Sequence, residues 1–452
     1  MQATDRQKKL LRQTFLDYRQ ISDFISNPLI IDRADGLYYW DVEGKRYFDG
    51  IGGIFVAVLG HRHPRVMEAM ARQMEKLTFA PPLHGVADVT LDFVERLGSV
   101  SPGNLDFVKS FSGGSESVEA ALKFVRQYYK QTGSPGKYKV VSRYFGYHGA
   151  TFGGMAASGT GTRKTKFEPQ MAGFLKVFPP TYYRDRFSSW DECNRFSASM
   201  FEDVIVNEDP ETVAAVIVEP IGNTGGIITP TDEYYHMLRE ICDRYNVALI
   251  FDEIITGFAR TGSMFAAGAY GVTPDIICSG KGLSSGALPL GAMIARSPMA
   301  DAFYGDPHEN VQFAHGHTYA GNPLGSAVGI AVIEEIIENR LSERAVRLGD
   351  RLTEGLNALR KYGVVRDVRG KGVLRGVEFV RDTESNEPFP ELGTALKKTA
   401  LANGVILRID PSWFAVAPAL IATEGDIDEL CAIIDKSVGD ALEIVRREER
   451  SA

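Results

Sequence analysis

The sequence predicts an α/β chain, with a large domain on a mostly parallel, doubly wound sheet and a smaller α+β domain assembled from both chain ends. Three observations lead there. Short, continuously apolar runs bounded by Gly, Pro or Asp alternate with helical patterns through the middle of the chain. The N-terminal flank instead carries two alternating, aromatic-rich runs about a glycine turn. The C-terminal flank carries two long helical patterns, a group of short strand-like runs and a closing amphipathic helix.

The central runs are Lys139–Ser142, Ala214–Glu219, Val247–Phe251, Asp275–Cys278 and Gly291–Ala295. Runs without polar alternation read as strands buried on both faces, as helices on either side of a parallel sheet require. Between them Thr231 opens a helix, with Asp232 and Glu233 in its first turn and Leu238, Ile241, Cys242 and Tyr245 along one face. This large domain is expected over 79–323. The segment 1–78 is expected to belong to the small domain, with a hairpin about Glu43-Gly44. The remainder, 324–452, completes it. Asn322-Pro323 caps the first of the two long helices. Gly372–Val380, Val405–Arg408 and Trp413–Ala417 suggest one small sheet, and Thr423 and Asp426 open the last helix.

At 452 residues, with 44% apolar and 24% charged residues, the chain has ordinary globular composition and room for two or three domains. A net charge of −8 argues against nucleic acid or an anionic membrane surface as a partner. The four cysteines, Cys193, Cys242, Cys278 and Cys431, are scattered, which fits a reducing compartment better than a disulfide framework or zinc site. The first residues lack the apolar core of a signal peptide, and no stretch reaches the roughly 18 apolar residues of a spanning helix. A cytoplasmic enzyme is the expectation.

The chemistry centres on Lys281, set between Gly280 and Gly282 just after an apolar run. Flanking glycines let a flat cofactor approach the backbone. An amine held off water there loses ammonium stabilisation and can form a Schiff base. Asp252 ends a separate apolar strand, where its carboxylate could stay ionised against a protonated pyridine nitrogen. Pyridoxal phosphate (PLP) needs that pair to act as an electron sink. A third element, Ser112-Gly113-Gly114-Ser115-Glu116, precedes a helix with Val118, Ala121, Leu122 and Val125 on one face. Its free N–H groups could meet an anion, although many Gly-Ser turns merely cap helices.

The run from Leu249 to Gly262 (LIFDEIITGFARTG), followed by Pro274-Asp275 and Ser279-Gly280-Lys281, resembles the signature of class III aminotransferases of PLP fold type I. The resemblance extends from about Leu37 to the C-terminal helix. It implies PLP on Lys281, Asp252 on the pyridine nitrogen and Ile254 packed against one ring face. It places the phosphate on Gly113, Gly114 and Ser115, with Gly113 standing where the family usually has a serine. Tyr147, in Tyr147-His148-Gly149, would stack on the ring, and His148 reads as supporting structure, as does Glu219-Pro220. Thr318, in the stretch from Ala314 to Pro323, would reach the phosphate of the neighbouring subunit, which implies a homodimer with composite sites or a tetramer of such dimers. His315 and His317 lack a third ligand, so no metal is expected. Arg408 stands where the family holds the substrate carboxylate, and Phe55 aligns with an aromatic that shapes the pocket, although ordinary core is nearly as good a reading of Phe55.

Two departures narrow the substrate. Relatives that use 2-oxoglutarate carry arginine where this chain has Ala150, and glutamate where it has Thr224. A second carboxylate without a cation is expensive to bury. The expectation is therefore transfer from an omega-amino acid or amine to a keto acid, pyruvate or glyoxylate, by a ping-pong mechanism. A PLP-dependent lyase, a decarboxylase or amine phospholyase, is the alternative, because the cofactor residues do not fix the bond that breaks. If 2-oxoglutarate served equally well, another cation such as Arg260 or Arg163 would have to meet it.

Overall fold

The computed structural model describes residues 3–451. Its centre is a seven-stranded sheet. In spatial order the strands are Leu105–Phe111, Gly291–Arg296, Ile276–Ser279, Ala248–Asp252, Val213–Val218, Lys139–Arg143 and Phe174–Val177. Gly291–Arg296 runs antiparallel to both its neighbours, and the other pairings are parallel. The apolar runs work as their period requires. Val216, Val218, Leu249 and Phe251 face one core with Phe201 and Leu238 from the helices Trp190–Asn207 and Asp232–Arg244. Ala215, Ile217, Ala248 and Ile250 face the other, against Val118, Ala121 and Val125 of the helix Gly114–Gln131. Alternate residues thus serve opposite layers, so no position along these strands could tolerate water.

The N-terminal hairpin forms as expected, Tyr38–Asp41 against Arg46–Asp49, with Ile31–Asp35 added outside it. Thr231 caps its helix by accepting from the Tyr234 N–H. Asn322 caps Pro323–Glu338 in the same way through the Gly325 N–H.

One expected strand divides. The run 405–408 does not lie in a single small sheet. Val405–Ile406 pairs parallel with Phe48 and Asp49, whereas Arg408–Asp410 pairs antiparallel with Trp413–Val416 and so joins the sheet containing Leu374–Phe379 and Val365–Lys371. The switch occurs at Leu407, whose Cδ2 fills the space beside Gly50, 2.7 Å from where a Cβ would stand. The chain ends are therefore joined by backbone pairing as well as by packing. No described helix is long and apolar enough to cross a membrane.

Candidate active site

In an open α/β sheet, ligands collect outside the carboxyl ends of the strands. Here those ends deliver every group in the centre of the site. Asp252 is the last residue of its strand and stands in register with Cys278 of the next, so the Ser279-Gly280-Lys281 turn emerges beside it. Lys281 itself takes a left-handed backbone, φ 42°, a conformation that costs energy in a side-chain-bearing residue and collects at functional sites. Leu105–Phe111, two strands beyond the Lys281 strand, and Lys139–Arg143, two strands away on the other side of Asp252, lead into the turns carrying Gly113–Ser115 and Tyr147–Gly149.

Asp252 and His148 form a buried pair, His148 Nδ1 to Asp252 Oδ2 at 2.8 Å. The other carboxylate oxygen accepts the Ile254 N–H at 3.2 Å. His148 is in turn fixed by its own N–H, which donates to Ser158 Oγ at 2.8 Å. Glu219 accepts the Tyr147 N–H at 3.0 Å and the Asn223 N–H at 3.1 Å. Burial pushes its carboxyl above the ordinary range, aided by the charge of Asp252 and opposed by His148 and Arg143. Burial likewise holds the Lys281 amine below the ordinary lysine range, against the pull of Asp252 and Glu219 and with help from Arg260 and Arg163. Among the described residues nothing hydrogen-bonds the Lys281 amine.

The glycines are positional. A Cβ on Gly114 would stand 2.5 Å from Ile254 Cδ1, so the first turn of the 114–131 helix lies directly against the residue expected beneath the ring. Gly149, at φ 122°, passes so near Ser115 that a Cβ would come within 2.8 Å of its Oγ. The Ser115 hydroxyl accepts the Ala150 N–H at 3.1 Å, which locks the Tyr147–Ala150 loop onto the same helix start. No side chain caps that helix, so its first N–H groups remain available to an anion.

The structure thus brings Gly113, Gly114, Ser115, Tyr147, Asp252, Ile254 and Lys281 around one space. The remaining three expected residues lie differently. Phe55 is 1% exposed and packs with Ile51, Ile221, Ile227 and Leu374. Arg408 is half-buried, its Nε donating to Asp410 Oδ2 at 2.7 Å and its guanidinium 5.5 Å from the Trp413 ring centre. Thr318 is exposed and makes no hydrogen bond to the 113–115 turn of its own chain. His315 and His317 contact each other, Nε2 to Nε2 at 3.1 Å, and the Lys123 ammonium sits 2.9 Å from His315 Nδ1. Burial and the neighbouring cations push His315 down to about 4.

Sequence reasoning missed the His148–Asp252 bond, because the partners lie 104 residues apart. It also missed Tyr18, whose ring lies over Arg163 from the N-terminal segment.

These residues fit PLP on structural grounds. An unpartnered amine, a carboxylate oriented by an imidazole and an uncapped helix start come together at the strand ends, where glycines let the helix start and the Tyr147–Ala150 loop pack closely against Ile254 and Ser115. The family described as Aminotransferase class-III matches residues 22–438. A taurine–pyruvate aminotransferase of Bilophila wadsworthia is 35% identical over 422 residues, covering 91% of this chain and 92% of that protein. An (S)-enantioselective omega-transaminase of Thermomicrobium roseum superposes with a TM-score of 0.92 at 34% identity, covering 96% of this chain and 98% of that one. A PLP-bound amine transaminase from an uncultivated Pseudomonas species superposes with a TM-score of 0.87 at 32% identity, covering 92% and 94%. The chain belongs to the class III aminotransferases, PLP-dependent enzymes of fold type I.

Proposed function

We propose that this aminotransferase takes its amino group from an omega-amino acid or amine and delivers it to pyruvate, in two successive half-reactions at a site completed by a second subunit. The observation that carries the acceptor is the distribution of charge. Arg408 spends only Nε on Asp410, which leaves its terminal nitrogens for the single carboxylate of pyruvate. The positions that would meet a second carboxylate carry no charge. Ala150 is apolar, and the Thr224 hydroxyl is spent on the Phe145 carbonyl.

Bound in this site, PLP supplies the electron sink that makes the C–H bond beside the amine acidic. The protein does the rest. Lys281 acts through Nζ, first as nucleophile and then as carrier of the proton between donor carbon and cofactor. Its depressed pKa favours the neutral amine that both tasks need. Asp252, held by His148, keeps a proton on the pyridine nitrogen. The helix start at Gly113–Ser115 would hold the phosphate and Ile254 and Tyr147 would flank the ring, while Phe55 packs in the core with Ile51 and Leu374.

Support for a dimer comes from the surface. Phe79, Leu83 and Val86 are exposed along one segment, with Leu83 at 92%, and Tyr319 beside Thr318 lies edge-on to Phe79. Apolar exposure of this extent in one place is what a partner subunit covers. The free cysteines support a reducing, cytoplasmic setting.

The test is the pyridoxamine form of the enzyme against two keto acids. Pyruvate is expected to exceed 2-oxoglutarate by at least about tenfold in kcat/KM, equivalent to roughly 1.4 kcal/mol. Arg408→Ala should penalise pyruvate far more than a simple aldehyde. Equal rates with the two keto acids would sink the proposal.

A further inference from the structure

Four side chains beside the helix start stand in a line. The Lys123 ammonium lies 2.9 Å from His315 Nδ1, His315 Nε2 lies 3.1 Å from His317 Nε2, and His317 Nδ1 faces Glu116 Oε1 at 3.5 Å. Oε2 of Glu116 accepts the Ser112 N–H at 2.8 Å. Lys123 and Glu116 belong to the 114–131 helix, and the two histidines to the loop that carries Thr318. Phe111 lies against both imidazoles, with ring centres 5.7 and 5.3 Å apart.

Only one arrangement of protons satisfies this line. An ammonium donates and never accepts, so His315 Nδ1 must be the acceptor. Neutral His315 then carries its proton on Nε2 and donates it to His317 Nε2. His317 in turn carries its proton on Nδ1, aimed at the carboxylate. Every contact therefore points the same way, from Lys123 to Glu116. This matters for an anion at Gly113–Ser115. Glu116 stands in the first turn of that helix, where a loose carboxylate would compete for the free N–H groups and repel a phosphate. With Oε2 on the Ser112 N–H and Oε1 facing His317, both oxygens are taken up.

A further proton breaks the line, because it leaves one ring donor facing another. The charged groups around the pair are Lys109 from the strand ending at Phe111, and Glu116, Glu119 and Lys123 from the helix. Burial, with Lys123 and Lys109 and against Glu119, pushes His315 down from an ordinary 6.5 to about 4. A lowered histidine pKa means that the ordered state excludes the proton. The arrangement is therefore at full strength above about 6.5 and is lost as the pH falls toward about 4.

We propose that His315 and His317 are positioning residues: by carrying a one-way chain of contacts from Lys123 to Glu116, they fix the Gly113–Ser115 helix start against the 314–318 loop and so set how tightly the cofactor phosphate is held. This rests on the reading above that places the phosphate at that helix start. Cofactor retention then becomes acid-sensitive.

The test is calorimetric binding of pyridoxamine phosphate to the apoenzyme, a ligand that cannot bond covalently to Lys281. At about pH 8, where the chain is intact, His317→Leu should weaken binding about tenfold, the effect of losing one hydrogen bond to a charged group. His317→Gln should recover most of that loss, because an amide accepts through its oxygen and donates through its nitrogen. Between about pH 8 and about pH 5, wild type should lose at least about tenfold more affinity than His315→Gln/His317→Gln, which keeps the direction without titrating. Nitrogen NMR of the histidine side chains in the apoenzyme gives an independent readout. Wild type should show His315 protonated on Nε2 and His317 on Nδ1, and Lys123→Met should leave both rings in mixed tautomers. Both wild-type rings protonated on Nε2 would overturn the chain. No weakening in His317→Leu, equal losses for Leu and Gln at 317, or parallel pH profiles would overturn the proposal as well. Failure of the underlying reading looks different: Gly114→Ala, at the helix start itself, would then leave pyridoxamine phosphate binding unchanged.

Discussion

Asp252 spends its two oxygens on different partners, His148 on one and the Ile254 N–H on the other. Both contacts orient a carboxylate whose charge also reaches Lys281 and raises its pKa against the larger effect of burial. The sign is therefore fixed. Neutralising Asp252 removes a negative charge that favours the ammonium, so in Asp252→Asn the Lys281 amine should lose its proton at a lower pH than in wild type. The pH dependence of chemical labelling at residue 281 in the apoenzyme measures this, and an upward move would contradict the geometry. The same variant should hold the cofactor yet react slowly in both half-reactions, because an amide cannot keep the pyridinium protonated. His148→Phe should retain the carboxylate but free it to turn. A hydrogen bond to a charged group is worth about 1.5–3 kcal/mol, so kcat/KM should drop by roughly 10- to 100-fold. Lys281→Ala should leave a folded protein without turnover, and borohydride reduction of wild type should attach the cofactor to the peptide containing residue 281. Attachment at Lys123 would overturn that role.

At the scale of elements, the site depends on how closely the 114–131 helix approaches the strand ending at Asp252. Gly114→Ala places a methyl 2.5 Å from Ile254 Cδ1. Overpacking of this kind typically costs about 1–3 kcal/mol, and here the strain falls on Ile254, the residue proposed to lie beneath the ring. Cofactor affinity should weaken about tenfold or more, at 1.4 kcal/mol per decade. Ile254→Val removes the clashing methyl, so Gly114→Ala/Ile254→Val should bind PLP more tightly than Gly114→Ala alone, and a double-mutant cycle by spectroscopic titration reads the coupling. The same elements explain what was legible beforehand. The central strands are apolar through their middles, and that pattern survives in the sequence because both faces are buried. Leu105–Phe111 escaped notice because Asp106 and Lys109 interrupt it, and only its two ends are deeply buried. The break at Leu407 was invisible because it depends on Gly50, some 350 residues away, making room for the leucine side chain. Lys281 and Asp252 could be read from glycine brackets and strand ends, which are local. His148 on Asp252 and Tyr18 on Arg163 could not, since each pair is made only when distant segments close over the site.

The whole molecule is the scale at which Thr318 has to be judged. Within one chain it is exposed and makes no hydrogen bond to the helix start that would hold the phosphate, although Gly321 three residues later is anchored, its N–H donating to Ser110 Oγ at 3.0 Å. A loop fixed at its base and exposed beside Phe79 is proposed to enter a partner's site. If it does, the dimer is a condition of cofactor binding and each site draws on both chains. Thr318→Ala homodimers should then hold PLP about tenfold less tightly, the effect of one hydrogen bond to a charged group. Hybrids of Thr318→Ala with Lys281→Ala separate the two possibilities. The only site in such a hybrid that keeps Lys281 belongs to the Thr318→Ala chain. Its phosphate would meet an intact threonine if the partner supplies that residue, and alanine if its own chain does. Tagged hybrids purified away from both homodimers should therefore bind PLP at the competent site with wild-type affinity and turn over at about half the wild-type rate per dimer. Affinity as weak as in the Thr318→Ala homodimer would confine each site to a single chain.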